Sequence, residues 1–271
     1  MTLRELQLKE LDILKQTIKI IEDHNLSYYA LGGTLLGAIR HKGFIPWDDD
    51  VDICMTRPDY EKFLEIAQKE LPENLELGYF KTNPTHQKYA TRIIDKNTQV
   101  LRNDSFKDYY INIWIDIIPL DGMPDNKIKN AFHKFHLLVR RLFLQYSIFD
   151  SVKRNKKRKL HERILVGFGK IFTKIIHLDS HKQMYKMDKV LTKYHYDYGK
   201  YVINFMAANT FEEIFKHSAF EKAEYFDFED IKIAGPCDYV HVLETIFGPH
   251  YMELPKEEDR VAHSFVLDPE N

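Results

Sequence analysis

Four aspartates follow one another closely in the run W-D-D-D-V-D, at Asp48, Asp49, Asp50 and Asp52. Side chains alternate between the two faces of an extended strand, so Asp48, Asp50 and Asp52 fall on one face. Carboxylates this close repel one another unless a counter-charge lies among them, and oxygen ligands select Mg²⁺ or Mn²⁺ over softer metals. The spacing therefore predicts a Mg²⁺ or Mn²⁺ site at Asp50 and Asp52.

An acidic run can also be an ordinary solvated loop, but two features favour the metal site. Apolar residues such as Val51 and Ile53 alternate with the acids, as expected of a half-buried strand. Upstream, Gly32 and Gly33 stand where a strand is predicted to meet a helix that begins near Thr34. Glycines there let a phosphate approach backbone amides and the positive helix end. Together these features predict metal-assisted transfer from a nucleotide.

A further acid, Asp116, interrupts the apolar run N-I-W-I-D-I-I-P of Asn112–Pro119. A carboxylate in an apolar strand is costly unless it is paired or metal-bound. Asp116 is either an edge-strand acid that caps a nearby amide or a third carboxylate that completes the site with Asp50 and Asp52. We favour the third carboxylate.

The elements that must position these residues follow from periodicity and from turn residues. Helices are predicted at Leu3–Asp23, Thr34–His41, Arg57–Glu70 and Tyr239–Phe247. Strands are predicted at Tyr28–Leu31, Asp50–Met55, Leu75–Phe80, Ala90–Asp95, Thr98–Leu101, Asn112–Pro119 and Phe226–Ile233. An irregular tail is predicted from His250 onward.

The composition bounds the class of protein. A chain of 271 residues with 44% hydrophobic content is globular, and its net charge of −2 gives no indication of a nucleic-acid partner. Two cysteines make no disulfide framework, which favours a reducing compartment. We find no signal-peptide pattern and no run of about 18 apolar residues. A cytoplasmic protein is predicted.

Residues 127–200 differ from the rest in charge, with 19 Lys and Arg against 5 Asp and Glu. This section carries +14, which leaves −16 for the remainder. Its densest part is the basic block Lys153–Lys159, and its apolar residues recur at helical spacing. A charge run is usually a solvated face or loop. The alternative is a surface that docks on an anionic membrane or a polyanionic acceptor, where each basic residue contributes about 1 kcal/mol near lipid.

The run G-G-T-L-L-G-A-I-R-H-K-G-F-I-P-W-D-D-D-V-D from Gly32 to Asp52 resembles the signature of the LicD family of phosphotransferases, to which the fukutin-type proteins are related. Similar matches occur at Thr91–Asp95, at Ile115–Gly122 and in the F-G-P-H-Y-M-E-L-P ending that starts at Phe247. The match covers the two ends of the chain well and the basic middle poorly.

The resemblance implies an α+β fold with a nucleotidyltransferase, DNA polymerase β-like, mixed-sheet core. That catalytic core would occupy residues 1–124, followed by a basic helical insertion at 125–200. Residues 201–271 would form a C-terminal section that packs back on the core, on the acceptor side.

The family moves a phospho-alcohol from a CDP-activated donor to a sugar hydroxyl of a glycan or glycolipid acceptor. Teichoic acid, lipopolysaccharide and capsule are the acceptor classes implied. Phosphocholine from CDP-choline is the transferred group that we favour, with glycerol phosphate and ribitol phosphate as alternatives. This activity would place the protein in the cytoplasm or at the inner face of the plasma membrane.

By position, the resemblance implies that Asp50 and Asp52 bind the metal, which is Mg²⁺ or Mn²⁺. Asp116 would be the third metal ligand and the catalytic base, with His263 as the next candidate for the base. Asp48 would be an auxiliary acid of the catalytic set.

The donor phosphates would lie against Gly32, Gly33 and Thr34. Arg40 and Arg92 are candidates to hold the leaving-group phosphate, because a guanidinium fork matches phosphate oxygens. Each arginine is alternatively a surface ion-pair partner. Two rival functions stay open: transfer of the nucleotidyl group itself with release of pyrophosphate, and a non-catalytic scaffold that binds lipid or polymer through residues 127–200.

Overall fold

A computed structural model describes residues 1–83, 86, 89–102, 109–148, 178–206 and 211–260. These residues form six α-helices and eleven strands, so the predicted α+β class is confirmed. The basic block Lys153–Lys159 and His263 lie outside the described residues. No helix in the described part is long and apolar enough to cross a membrane.

The helices are α1 (Leu3–Asp23), α2 (Gly32–Arg40), α3 (Arg57–Glu70), α4 (Lys127–Ser147), α5 (Ser180–Leu191) and α6 (Tyr239–Phe247). The strands of the main sheet are β1 (Tyr29–Ala30), β2 (Asp52–Thr56), β3 (Leu75–Gly78), β4 (Thr91–Asp95), β7 (Trp114–Met123), β8 (Tyr201–Ile203) and β9 (Ile214–Lys216). Two hairpins stand apart from it, β5 (Val100–Arg102) with β6 (Tyr109–Ile111) and β10 (Ala223–Phe228) with β11 (Ile231–Pro236).

The main sheet is mixed, and the long strand β7 lies at its centre. The order is β1-β2-β7-β4-β3, with β2 parallel to β7 and the other neighbours antiparallel. The last three residues of β7 pair with β8, and β8 pairs with β9. Because β7 is so long, its first half lies between β2 and β4 while its second half carries a separate strand pair.

Helix α1 covers the sheet with one apolar stripe. Leu6, Leu14 and Ile21 are fully buried and recur at helical spacing. A capping box between Thr2 and Glu5 begins the helix at the predicted residue. Helix α3 packs on β2 and β7 and also contacts α1, so these two helices cover the strands that carry Asp52 and Asp116.

The bounds predicted for α1, α3 and α6 are confirmed. The strand predicted over Phe226–Ile233 is wrong: the chain turns at Glu229 and Asp230, which separate β10 from β11. Glu229 has a left-handed φ of 55°. Gly or Asn usually occupies such a position and so indicates the turn in a sequence. With an acid there, the alternating apolar residues on both sides look like one strand.

A buried ionic network joins α3, β7 and α5. Arg57 donates to both carboxylate oxygens of Asp121, each at 2.7 Å. Asp188 of α5 lies 3.5 Å from Arg57 and accepts the Tyr89 hydroxyl at 2.7 Å, while Lys81 Nζ lies 2.6 Å from its other oxygen. The basic helical section is therefore attached to the core through fixed charges.

Candidate active site

The turn from β1 into α2 brings the backbone of a glycine pair against two carboxylates. Gly32 has a left-handed φ of 55°, and a Cβ there would lie 3.5 Å from Asp52 Oδ2. A Cβ at Gly33 would overlap the carboxylate of Asp48. Gly33 thus permits the close approach of the Asp48 carboxylate, and Gly32 permits the left-handed backbone of the turn. Their proposed contact with donor phosphate stays a prediction.

Thr34 ties the first turn of α2 to the start of β2. Its hydroxyl accepts a hydrogen bond from the Asp52 backbone N–H at 2.9 Å, and the Leu31 N–H donates to the Asp52 carbonyl at 3.1 Å. Thr34 is buried. Its observed role is to position Asp52, which leaves its predicted contact with phosphate untested.

The acidic run precedes the strand rather than lying within it. Strand β2 begins at Asp52, two residues later than predicted, and Asp48 donates its N–H to the Ile45 carbonyl in a turn. Burial nevertheless alternates, because Asp49 and Val51 are each 1% exposed while Asp48, Asp50 and Asp52 are half-buried. The predicted division of the side chains between a buried and an open face therefore agrees with the structure.

Gln7 of α1 supports this turn. Its side-chain amide donates to the carbonyls of Ile45 and Asp48, at 3.3 and 2.9 Å. Gln7 is 4% exposed, and the sequence reasoning did not identify it. The signal in the sequence was a glutamine on the apolar side of a predicted helix.

Asp116 lies on the central strand β7, beside Asp52. The two residues are register partners in the parallel pair of β2 and β7, so their side chains share a face. On the other side, Asp116 is the register partner of Arg92 on β4. The alternative of an edge-strand acid is wrong, because β7 is flanked on both sides at this position.

Both oxygens of Asp116 have a partner. Oδ1 accepts from Arg92 Nε and Oδ2 from the Trp114 indole N–H, each at 3.0 Å. The Arg92 guanidinium also stacks on the Trp114 ring, 3.8 Å from its centre. Each carboxylate oxygen still has a further lone pair for a metal or a proton. Arg92 and Trp114 therefore fix the orientation of Asp116 without closing it to a ligand.

Each of these acids disfavours the charged form of its neighbours. Burial, and then Asp50 and Asp49, raise the pKa of Asp48 to about 8. Burial also raises the pKa of Asp52 well above its usual value, with further contributions from Asp50 and Asp116. A divalent cation bound among these carboxylates would stabilise their charged forms.

An all-oxygen donor set of this kind fits Mg²⁺ or Mn²⁺. Asp50 and Asp52 are the residues that would hold the ion, together with Asp116. In the described residues, no three His, Cys, Asp or Glu side chains are already arranged as metal ligands. Metal binding by these acids stays a prediction.

Another carboxylate near this site, Glu10, was missed. It lies on α1 with no exposed surface, and neither of its oxygens has a hydrogen-bond partner among the described residues. Burial raises its pKa well above the usual value, and Asp50, Asp49 and Asp48 raise it further. The signal was present in the sequence, because position 10 continues the apolar stripe that contains Leu6 and Leu14.

Arg40 contacts the C-terminal motif. Its guanidinium donates to the backbone carbonyls of Tyr251 and Glu253, at 2.9 and 3.1 Å. Nearby, the Arg260 guanidinium lies 5.3 Å from the centre of the Trp47 ring, the residue that precedes the acidic run. Arg40 thus holds the segment 251–253, and Arg260 contacts the residue before the acidic run, while the predicted contact of Arg40 with phosphate stays untested.

Comparison with known proteins finds a family match and several relatives. A family model described as LicD/FKTN/FKRP, nucleotidyltransferase domain, matches residues 25–149. The lipopolysaccharide cholinephosphotransferase LicD of Haemophilus influenzae is 31% identical over 276 residues, covering 97% of this chain and 96% of that protein. An uncharacterised protein of Rickettsia typhi is 33% identical over 117 residues, 43% of this chain and 35% of that protein. An uncharacterised protein of Rickettsia prowazekii is 43% identical over 68 residues, 25% of this chain and 24% of that protein.

Proposed function

The chain belongs to the LicD family of phosphotransferases, and we propose that it transfers phosphocholine from CDP-choline to a sugar hydroxyl of a cell-surface glycan, releasing CMP. The observation that carries the proposal is the similarity to the Haemophilus lipopolysaccharide cholinephosphotransferase over nearly the whole of both chains. The matched segment at residues 25–149 includes the glycine turn, the acidic run and Asp116. A nucleotidyltransferase-type core is part of the same proposal.

The acids would bind the donor through a metal ion. Mg²⁺ held by Asp50 and Asp52, with Asp116, would neutralise the donor diphosphate and the charge that develops on it. Gln7 and Thr34 maintain the backbone of this site, through Asp48 and Asp52 respectively. Most of the catalysis proposed here is positioning and charge neutralisation.

Asp116 is proposed to take the proton of the acceptor hydroxyl. Arg92 and Trp114 hold its two oxygens in place, so a free lone pair of the carboxylate has a fixed direction. A general base must lie within hydrogen-bond reach of the proton it removes. Asp116 therefore combines two proposed roles, metal ligand and base, on the strand next to the metal-binding acids.

A panel of CDP-choline, CDP-glycerol and CDP-ribitol tests the donor, with CMP release measured in the presence of candidate glycan acceptors. CMP release that needs both CDP-choline and a sugar acceptor supports the proposal. Preference for CDP-glycerol or CDP-ribitol would assign the alternative phospho-alcohol. Pyrophosphate release from a nucleoside triphosphate would instead indicate a nucleotidyltransferase, and no turnover with any donor would favour a binding scaffold.

The acceptor class and the location belong to the same proposal. Lipopolysaccharide is the acceptor named for the Haemophilus relative, and teichoic acid and capsule are the alternatives for this chain. A CDP-activated donor places the reaction in the cytoplasm, at the inner face of the membrane that carries the glycan precursor. The predicted contact of Lys153–Lys159 with anionic lipid lies outside the described residues.

A further inference from the structure

Helix α4 has two apolar stripes on opposite faces. His133, Leu137 and Leu144 are buried toward the protein. On the opposite side, Ile128, Phe132 and Phe135 follow at spacings of four and three, and they are 69%, 72% and 66% exposed. A scattered exposed apolar residue is ordinary, but a stripe of large apolar side chains along one helix face indicates a binding surface.

The charge of α4 is equally one-sided. Its 21 residues contain no Asp or Glu, whereas α1, of the same length, contains five. The exposed stripe is flanked by basic residues on both sides at helical spacing, with Lys129 and Arg140 on one side and Lys127 and Lys134 on the other. An apolar stripe between two basic borders is the pattern of a helix that lies in a membrane interface.

Helix α5 extends the basic border. The groove between α4 and α5 has a volume of about 540 Å³. It is lined by His136, Arg140, Lys186, Lys189, Val190 and Lys193, with no acid among them. These side chains can surround the phosphate oxygens of lipid headgroups. The acid of α5 that lies nearby in sequence, Asp188, is buried and paired with Lys81.

We propose that the α4–α5 face docks the protein on an anionic phospholipid bilayer, with Phe132 and Phe135 in the interface and the basic groove on headgroup phosphates. The choice of an anionic bilayer as the partner rests on charge complementarity. The five Lys and Arg of α4 have no acid among them, and α5 adds three lysines against one acid, the buried Asp188, so an anionic surface attracts this face. A lipid interface accepts aliphatic Ile128 as readily as Phe132 and Phe135, whereas a base stacks only on the two rings, so nucleic acid fits less well.

Flotation with vesicles of phosphatidylethanolamine and phosphatidylglycerol tests this directly, with phosphatidylcholine vesicles for comparison. The intact protein should float with the anionic vesicles at low salt and dissociate as salt rises. The double substitution Phe132→Ser and Phe135→Ser should weaken vesicle binding by about tenfold or more. Exchanging Lys186→Gln, Lys189→Gln and Lys193→Gln should weaken it at least about tenfold and flatten its dependence on salt.

The matched control removes three exposed lysines elsewhere, Lys9→Gln, Lys69→Gln and Lys222→Gln, and should leave vesicle binding unchanged. Turnover on a short soluble acceptor should survive in all variants, which separates docking from folding and from chemistry. No flotation of the intact protein, or equal flotation of all variants, would overturn the proposal. The proposal would also be overturned if the protein self-associates and the two phenylalanine substitutions make it monomeric without changing flotation. Displacement of the protein from vesicles by an oligonucleotide that binds this face would overturn it as well.

Discussion

Replacing Glu10 by leucine should stabilise the metal-free protein. The Glu10 side chain has no exposed surface, and its two oxygens have no hydrogen-bond partner among the described residues. A buried polar group without a partner costs about 1–3 kcal/mol, and leucine continues the apolar stripe at this position. We therefore expect Glu10→Leu to raise the free energy of unfolding by about 1–3 kcal/mol near pH 6.

The gain should grow with pH. Burial and the neighbouring aspartates raise the folded pKa of Glu10 well above 4.5, so the folded protein keeps a proton that the unfolded chain loses. Wild-type stability then falls as pH rises from about 4.5 toward the folded pKa, by at most about 1.4 kcal/mol per pH unit from this group. Glu10→Leu lacks this loss. Glu10→Gln should remove the slope while keeping the polar group buried.

Urea unfolding in EDTA between about pH 6 and pH 8, followed by circular dichroism, measures both effects. EDTA is needed because a cation among the aspartates would favour the charged form of Glu10. The control is Glu22→Leu, at an exposed position on the same helix, which should change stability by no more than about 0.5 kcal/mol. The reasoning would be refuted if the wild-type protein were as stable as Glu10→Leu. It would also be refuted if the difference in free energy of unfolding between the two proteins were equal at both pH values.

The remaining predictions concern the acids of the site. Asp50→Asn and Asp52→Asn should each reduce CMP release by roughly 10³-fold or more without lowering the unfolding midpoint in EDTA, and full turnover in EDTA would contradict a metal site. Asp116→Asn should lower transfer to the sugar by more than about tenfold with only modest loss of donor binding by calorimetry, and a smaller loss would make Asp116 structural. Mg²⁺ binding should release a proton from Asp48, whose pKa is about 8, so one component of the release seen by calorimetry in buffers of different ionisation enthalpy should fade above that pH. Asp48→Asn should lack this component while release from Asp52 persists, and an unchanged signal in that variant would assign the component to another group.

Local patterns in the sequence predicted the bounds of α1 and α3 and the alternating burial of the acidic run, because these depend on near neighbours. The strand neighbours of Asp116 depend on pairing between segments far apart in the chain, so the sequence left open whether it was an edge acid. The same holds for Arg40, whose carbonyl partners lie more than 200 residues away. For Glu10, the sequence showed that the residue lies on the apolar stripe of α1. Its proximity to the aspartates depends on the tertiary fold and could not be predicted from the sequence.

The length of β7 bears on how this protein can be dissected. A fragment that ends at residue 124 would keep Asp116 and its neighbours but lose β8, leaving the backbone groups of Asp121–Met123 without their strand partner. It would also lose Asp188, so that Arg57 and Lys81 would keep fewer acidic partners in an apolar setting. Unpaired strand edges recruit other chains, and broken buried charge networks destabilise by several kcal/mol. Expression of such a fragment should therefore give aggregates.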